Sequence, residues 1–185
     1  CETLLEALVL VVLVNLVFLR SGTSTLITAV SIPVSVVGTF VFMQLVGFSI
    51  NVLSLLALVL AIGLVVDDSI VVMENIYRRR EVGEGPLRAA LNGSREVGFA
   101  VIATTVSVVA VLIPLSFMTG NIGRLFREFA LTMAAAVAIS MFVALTLVPM
   151  LCSRFLSTSH STNRVSRGIE TVLDAVARAY HRALD

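Results

Sequence analysis

Two adjacent acidic residues stand inside one of the most apolar stretches of the sequence. Asp67 and Asp68 follow AIGLVV at 61–66 and precede SIVVM at 69–73, and the next acid is Glu74. A charge at the centre of a membrane helix costs roughly 2.5–3.5 kcal/mol on insertion scales, and neighbouring carboxylates also repel each other. Burial favours a protonated carboxyl group, whereas a nearby cation favours the ionised form. A pair that alternates between such surroundings can carry protons.

The sequence alone leaves two other roles for this pair open. The aspartates could cap a new helix in a surface loop, although the apolar run continues beyond them without Pro or Gly. They could also form a structural ion pair with no part in transport. Thr104 and Thr105, in a later apolar run, are candidate relay support because their hydroxyls could face the aspartates. The alternative is that these hydroxyls bond only their own helix backbone, as Ser and Thr in membrane helices commonly do.

The composition indicates a membrane protein. Of the 185 residues 58% are hydrophobic and only 14% are charged, whereas a soluble domain is roughly 45–50% apolar and about 25% charged. The high hydrophobic content excludes a disordered chain, and a net charge of +1 argues against a nucleic-acid partner. Two cysteines and two histidines make no metal-ligand spacing. We find no nucleophile–base pair, and therefore predict neither an enzyme nor a cofactor or metal site.

The sequence predicts an all-α, polytopic bundle of membrane helices. A helix that crosses a bilayer needs about 20 mostly apolar residues. The predicted spans are 4–19, 26–46, 52–76, 97–118 and 129–151, within a transmembrane region 1–156. Residues 78–96 are predicted to be a polar linker with a short helix at 87–91. Small residues such as Gly63, Ala57 and Ala61 are expected to let helices pack closely. The alternative is that they make room for a long cationic side chain opposite the aspartates.

The tail, residues 157–185, is predicted to be a polar linker followed by an amphipathic helix. Apolar residues recur in it at helical spacing, with arginines between them. We expect this helix to lie on the cytoplasmic membrane surface. The alternative is a soluble helix that packs on a further domain. His160 and His181 are expected to be solvated tail residues.

The arginines set the predicted orientation. One side of the predicted topology carries most of them, namely Arg20, Arg78, Arg79, Arg80, Arg88, Arg95, Arg154 and those of the tail. The other side carries only Arg124 and Arg127. Because an excess of Lys and Arg marks the cytoplasmic side, we expect the chain to start outside, cross five times and end in the cytoplasm. Cys1 and Cys152 would then lie at opposite faces. A start at Cys1 without Met suggests a piece of a longer protein.

Six motifs resemble the signature of the resistance-nodulation-division efflux pumps. They are GFSIN at 47–51, AIGLVVDD at 61–68, IVVMEN at 70–75, PLSFMTG at 114–120, FREF at 126–129 and LVPMLC at 147–152. The double Asp is similar to the branch that exports hydrophobes and drugs. The resemblance implies that the chain is spans two to six of a twelve-helix transporter, from the first of two related halves.

The resemblance also implies a mechanism and a setting. In that family the matching aspartates carry protons for drug/proton antiport and pair with a Lys of the second half. This sequence contains no Lys, so we expect that partner, and the periplasmic substrate-binding domains, outside it. The resemblance implies a homotrimer that works with a periplasmic adaptor and an outer-membrane channel. It also implies a location in the bacterial inner membrane, with the N-terminal end of this chain in the periplasm. The alternatives are a related proton-driven protein-export subunit and a non-transporting membrane module whose aspartates are structural.

Overall fold

The part of the chain that the computed structural model describes is a bundle of four long helices. The described residues are Glu6, Leu10, Leu13, Val14 and residues 22–156. The helices are α1 (Gly22–Val46), α2 (Val52–Glu81), α3 (Pro86–Leu112) and α4 (Gly120–Phe155), and a 3₁₀ helix (Ile113–Phe117) follows α3. All four are long and apolar enough to cross a membrane, and the described residues contain no β-strand. The predicted all-α membrane helix bundle is confirmed.

Two predicted elements fall outside this part of the chain. The first span, 4–19, is described only at Glu6, Leu10, Leu13 and Val14, all helical, and the tail 157–185 is not described. Cys1, His160 and His181 likewise lie outside the described residues.

The predicted linker 78–96 is wrong, because most of this segment is helical. α2 continues to Glu81 and α3 already begins at Pro86. The break is confined to residues 82–85, where Gly83 has a φ of 97°, a conformation that glycine adopts without steric cost. Proline suits the first turn of a helix because the missing N–H would have no helical partner there. The polar residues of 78–96 are therefore the ends of two helices.

α4 holds the bundle together by packing against each of the other three helices. The core cluster joins Met73 and Ile76 of α2 to Ala89 of α3 and to Ala144 and Val148 of α4. Two glycines bring helices unusually close. A Cβ atom added to Gly93 would lie 2.9 Å from Cγ1 of Ile76, and one added to Gly38 would lie 2.9 Å from Cγ2 of Ile139. Small residues thus permit close approach, as membrane helix packing generally requires.

A stripe of hydroxyl side chains lies along the packed face of α1. Its members are buried, and they are Ser24, Thr25, Thr28, Ser31, Ser35 and Thr39. Thr28, Ser35 and Thr39 donate hydrogen bonds to carbonyl groups three or four residues earlier in the same helix. This bonding satisfies the hydroxyls inside an apolar interface.

Both ends of α2 are tied to a neighbouring helix. At its start, Asn51 caps the helix by accepting from the Ser54 backbone N–H at 2.8 Å, and its Nδ2 donates to Oε2 of Glu128 at 2.6 Å. At its other end, Nδ2 of Asn75 donates to the Gly93 carbonyl and to Oε2 of Glu96, both at 2.9 Å. Asn75 is therefore buried between α2 and α3.

Candidate functional site

The two aspartates lie in the middle of an unbroken helix. Asp67 and Asp68 are the sixteenth and seventeenth of the thirty residues of α2. At about 1.5 Å per residue, each end of α2 is about 20 Å away along the helix axis. The structure therefore rules out the alternative in which this pair caps a new helix in a surface loop.

A cleft of about 340 Å³ opens beside the pair, between α2, α3 and α4. It is lined by Leu64, Asp67, Asp68, Val71, Ala100, Val101, Thr104, Thr105, Val108 and Val137. The structure thus brings together all four residues that the sequence analysis singled out for proton transfer. Apart from these four, the lining is apolar, so the aspartates and threonines supply its polar groups.

The two aspartates have different surroundings. Asp67 is exposed and Asp68 is half-buried, as expected for neighbours that project about 100° apart around a helix of 3.6 residues per turn. A Cβ atom added to Gly63, one turn before Asp67, would have no neighbouring atom within 4 Å, so this face of α2 is open. Within the described residues neither aspartate takes part in an ion pair.

The two threonines of α3 also differ. Thr104 is exposed and donates to the Val101 carbonyl of its own helix at 2.9 Å. Thr105 is only 4% exposed, and its Oγ1 makes no hydrogen bond to any described residue. A buried hydroxyl without a partner costs roughly 1–3 kcal/mol. Thr105 is therefore a buried hydroxyl of the cleft wall with unused hydrogen-bonding capacity among the described residues.

Two hydroxyl contacts beside the acid pair escaped the sequence analysis. Oγ of Ser69, the residue after Asp68, lies 2.9 Å from Oγ of Ser31 on α1. Ser140 of α4 donates to the Val65 carbonyl of α2 at 3.0 Å. These contacts join α2 to α1 and to α4 within two residues of the acid pair. In the sequence, each contact was marked only by a hydroxyl residue inside an apolar run. Ser69 directly follows the acid pair, and Ser140 lies in the fifth predicted span.

An arginine–glutamate network supports the far end of α2. Nε of Arg79 donates to Oε2 of Glu96 at 3.1 Å, and the same guanidinium pairs with Glu84 in the turn between α2 and α3. NH2 of Arg78 donates to Oδ1 of Asn75 at 3.0 Å. These contacts join the ends of the two helices that form most of the cleft wall.

The described residues provide no group of three or more His, Cys, Asp or Glu side chains that could hold a metal ion. The polar chemistry of the cleft is therefore that of carboxyl and hydroxyl groups. Ionisable residues inside a membrane bundle characteristically face its interior and mark pathways for ions, protons or substrates. The fold and the site together define an integral membrane protein with a carboxylate pair in the middle of a central helix.

The chain belongs to the AcrB/AcrD/AcrF family, whose model matches residues 1–185. The resemblance drawn from the six motifs is thereby confirmed. The chain is 53% identical over 184 residues to "Multidrug resistance protein MdtC" of Salmonella paratyphi B, covering 99% of the chain. It is 52% identical over 186 residues to the protein of the same name from Yersinia pseudotuberculosis serotype O:1b, covering all of the chain. The chain spans 18% of the length of these relatives.

Proposed function

We propose that this chain is part of the membrane domain of a proton-driven multidrug efflux pump, in which Asp67 and Asp68 carry the protons. The observation that carries the proposal is the carboxylate pair in the middle of an unbroken apolar helix, open to a cleft. The relatives at 52–53% identity are named multidrug resistance proteins, which supports drugs as the exported class.

The proposed cycle alternates between an ion-paired and a protonated state of the acid pair. Asp67 lies on an open face of α2, where a long cationic side chain has room to approach. The chain contains no Lys, so a Lys partner would come from the second half of the transporter. Protonation of either aspartate breaks the ion pair, and the helices then shift. A membrane potential supplies about 2.3 kcal/mol per charge per 100 mV, and the pH gradient adds to this.

Thr104 and Thr105 are proposed to support the relay. Their hydroxyls share the cleft with the aspartates, and within the described residues no hydrogen bond links the two pairs directly. A hydroxyl both donates and accepts a hydrogen bond, so either threonine could order a water molecule next to a carboxyl group. Thr105 is the better candidate because its hydroxyl is not occupied by its own helix.

The membrane location, the orientation and the assembly of the protein belong to the same proposal. We place the chain in the bacterial inner membrane, with the arginine-rich ends of α2 and α3 at the cytoplasmic face. The N-terminal end would be periplasmic and the C-terminal end cytoplasmic. The whole protein would form a homotrimer that works with a periplasmic adaptor and an outer-membrane channel.

The test is dye efflux by cells that express the full-length protein with Asp67→Asn or Asp68→Asn. We expect uncoupler-sensitive efflux to be abolished while the amount of protein in the membrane is unchanged, because an amide cannot exchange a proton in this way. Glu74→Gln is the matched control. It makes the same chemical change seven residues further along α2 than Asp67, at an exposed position, and should leave efflux intact.

Wild-type efflux by either Asp variant would refute the proposal, and wild-type efflux by both would favour structural aspartates. Loss of efflux in the Glu74→Gln control as well would show that any lost carboxylate on α2 disables the pump, and the assignment of Asp67 and Asp68 as the carriers would fail.

A further inference from the structure

The face of α3 that points away from the cleft carries two arginines above an apolar stripe. Arg88 and Arg95 are seven residues apart and both are exposed. Seven residues make almost two helical turns, so the two side chains lie on the same face. Phe99, Ile102 and Val106 continue this face and are 83%, 43% and 60% exposed. The face is defined here by these five residues and is called the outer face of α3.

The two arginines of the outer face have no acidic partner among the residues that the structure describes. The nearby carboxylates serve other arginines, since Glu84 and Glu96 both pair with Arg79, and Glu96 also lies 3.7 Å from Arg78. Within the described residues, Arg88 and Arg95 form no ion pair. Two unpaired positive charges at one end of an exposed apolar stripe match a ligand with an anionic head and an apolar tail.

The length of the stripe fits one leaflet of a bilayer. From Arg95 to Val106 the helix rises about 16 Å, and half of a bilayer hydrocarbon core is about 15 Å thick. When Arg95 stands at the edge of the hydrocarbon core, next to the lipid phosphates, the apolar part of the outer face therefore runs to the bilayer midplane. Leu91, between the two arginines, is 57% exposed and would lie among the headgroups.

We propose that the outer face of α3 binds an anionic phospholipid from the arginine-rich side of the membrane. Arg88 and Arg95 hold the phosphate-bearing headgroup, because a guanidinium donates paired hydrogen bonds to phosphate oxygens. An acyl chain lies along Phe99, Ile102 and Val106. The binding does not depend on proton transfer at the acid pair, which lies across α3 in the cleft.

The test uses the full-length protein with Phe99→Trp, reconstituted in phosphatidylcholine vesicles. These contain a minor fraction of either dibrominated phosphatidylglycerol or dibrominated phosphatidylcholine. The bromines quench nearby indole fluorescence, and the same protein without Phe99→Trp provides the background. We expect stronger quenching by the anionic lipid. Arg88→Gln and Arg95→Gln should each reduce this preference about fivefold, the effect of one basic residue near an anionic surface.

The matched control is the pair Arg124→Gln and Arg127→Gln, two exposed arginines in the first turns of α4, beyond the far end of α3. This control should leave the lipid preference unchanged. Equal quenching by the two lipids would overturn the proposal. So would an absence of quenching by both, because another part of the protein would then cover the outer face.

A second measurement covers the case in which Phe99→Trp disturbs folding. The full-length protein and its Arg88→Gln, Arg95→Gln double variant are purified in detergent, and the phosphatidylglycerol retained per protein is measured by mass spectrometry. We expect retention by the unsubstituted protein and a loss in the double variant. Equal retention by the two proteins would overturn the proposal.

Discussion

The contact between Gly93 and Ile76 allows a stability prediction with a control on the same helix. Adding a Cβ atom to Gly93 places it 2.9 Å from Cγ1, 3.0 Å from Cα and 3.2 Å from the backbone N of Ile76. Because two of these atoms belong to the backbone of α2, a side-chain rotation cannot relieve the overlap. Adding a Cβ atom to Gly98 places it 3.9 Å from Cδ2 of Leu145, which is an ordinary contact.

The comparison of Gly93→Ala with Gly98→Ala isolates this overlap. Both changes replace glycine inside α3, so the gain in helix propensity, up to about 1 kcal/mol, is shared by the two variants. Overpacking of a close contact costs about 1–3 kcal/mol. We therefore expect Gly93→Ala to be less stable than Gly98→Ala by about 1–3 kcal/mol. Separating α3 from α2 would also lengthen the hydrogen bond from Asn75 to the Gly93 carbonyl.

The free energy of unfolding of both variants is measured in the full-length protein by titration with SDS in mixed micelles, with helix content followed by circular dichroism. A Gly93→Ala variant as stable as Gly98→Ala, or more stable, would refute the argument. In that case α2 and α3 would be able to move apart without a loss of stability, and the close approach at Gly93 would not hold the two helices together.

Two further predictions concern polar contacts of α2. Asn51→Ala removes a helix cap and the bond to Glu128, and we expect it to lower the free energy of unfolding by about 1 kcal/mol; unchanged stability would contradict the capping role. Ser69→Ala removes a hydroxyl pair between α1 and α2, with an expected loss of about 0.6 kcal/mol. The control is Ser107→Ala, because the Ser107 hydroxyl bonds only its own helix. This change should not measurably alter the free energy of unfolding. Equal losses of stability in the Ser69 and Ser107 variants would refute the prediction.

The helices and the position of the acid pair could be predicted because their signals are local. A run of about 20 apolar residues indicates a membrane helix wherever it stands, and Asp67 and Asp68 interrupt such a run. The ends of the helices were harder to predict. Residues 78–96 are polar, and composition alone does not separate a loop from the solvated turns of two helices. The better signal was the combination of Gly83 and Pro86 within four residues.

Contacts between helices could not be predicted, because they depend on how each helix is rotated and shifted against its neighbours. Ser31 and Ser69 are 38 residues apart in sequence, and no local pattern pairs them. The same holds for Ser140 and Val65. The meeting of Thr104 and Thr105 with the acid pair was expected only as one alternative, since hydroxyls that bond their own helix produce the same sequence pattern.

The hydroxyl stripe of α1 has a mechanical consequence. Thr28, Ser35 and Thr39 meet their hydrogen-bonding needs within α1, so their bonds are unchanged when α1 moves along its axis. The α2–α3 pair is instead joined by bonds at Asn75 and by a connection of only four residues, 82–85. We therefore expect α2 and α3 to move as one rigid hairpin, and the Ser31–Ser69 hydrogen bond must break when α1 slides along α2.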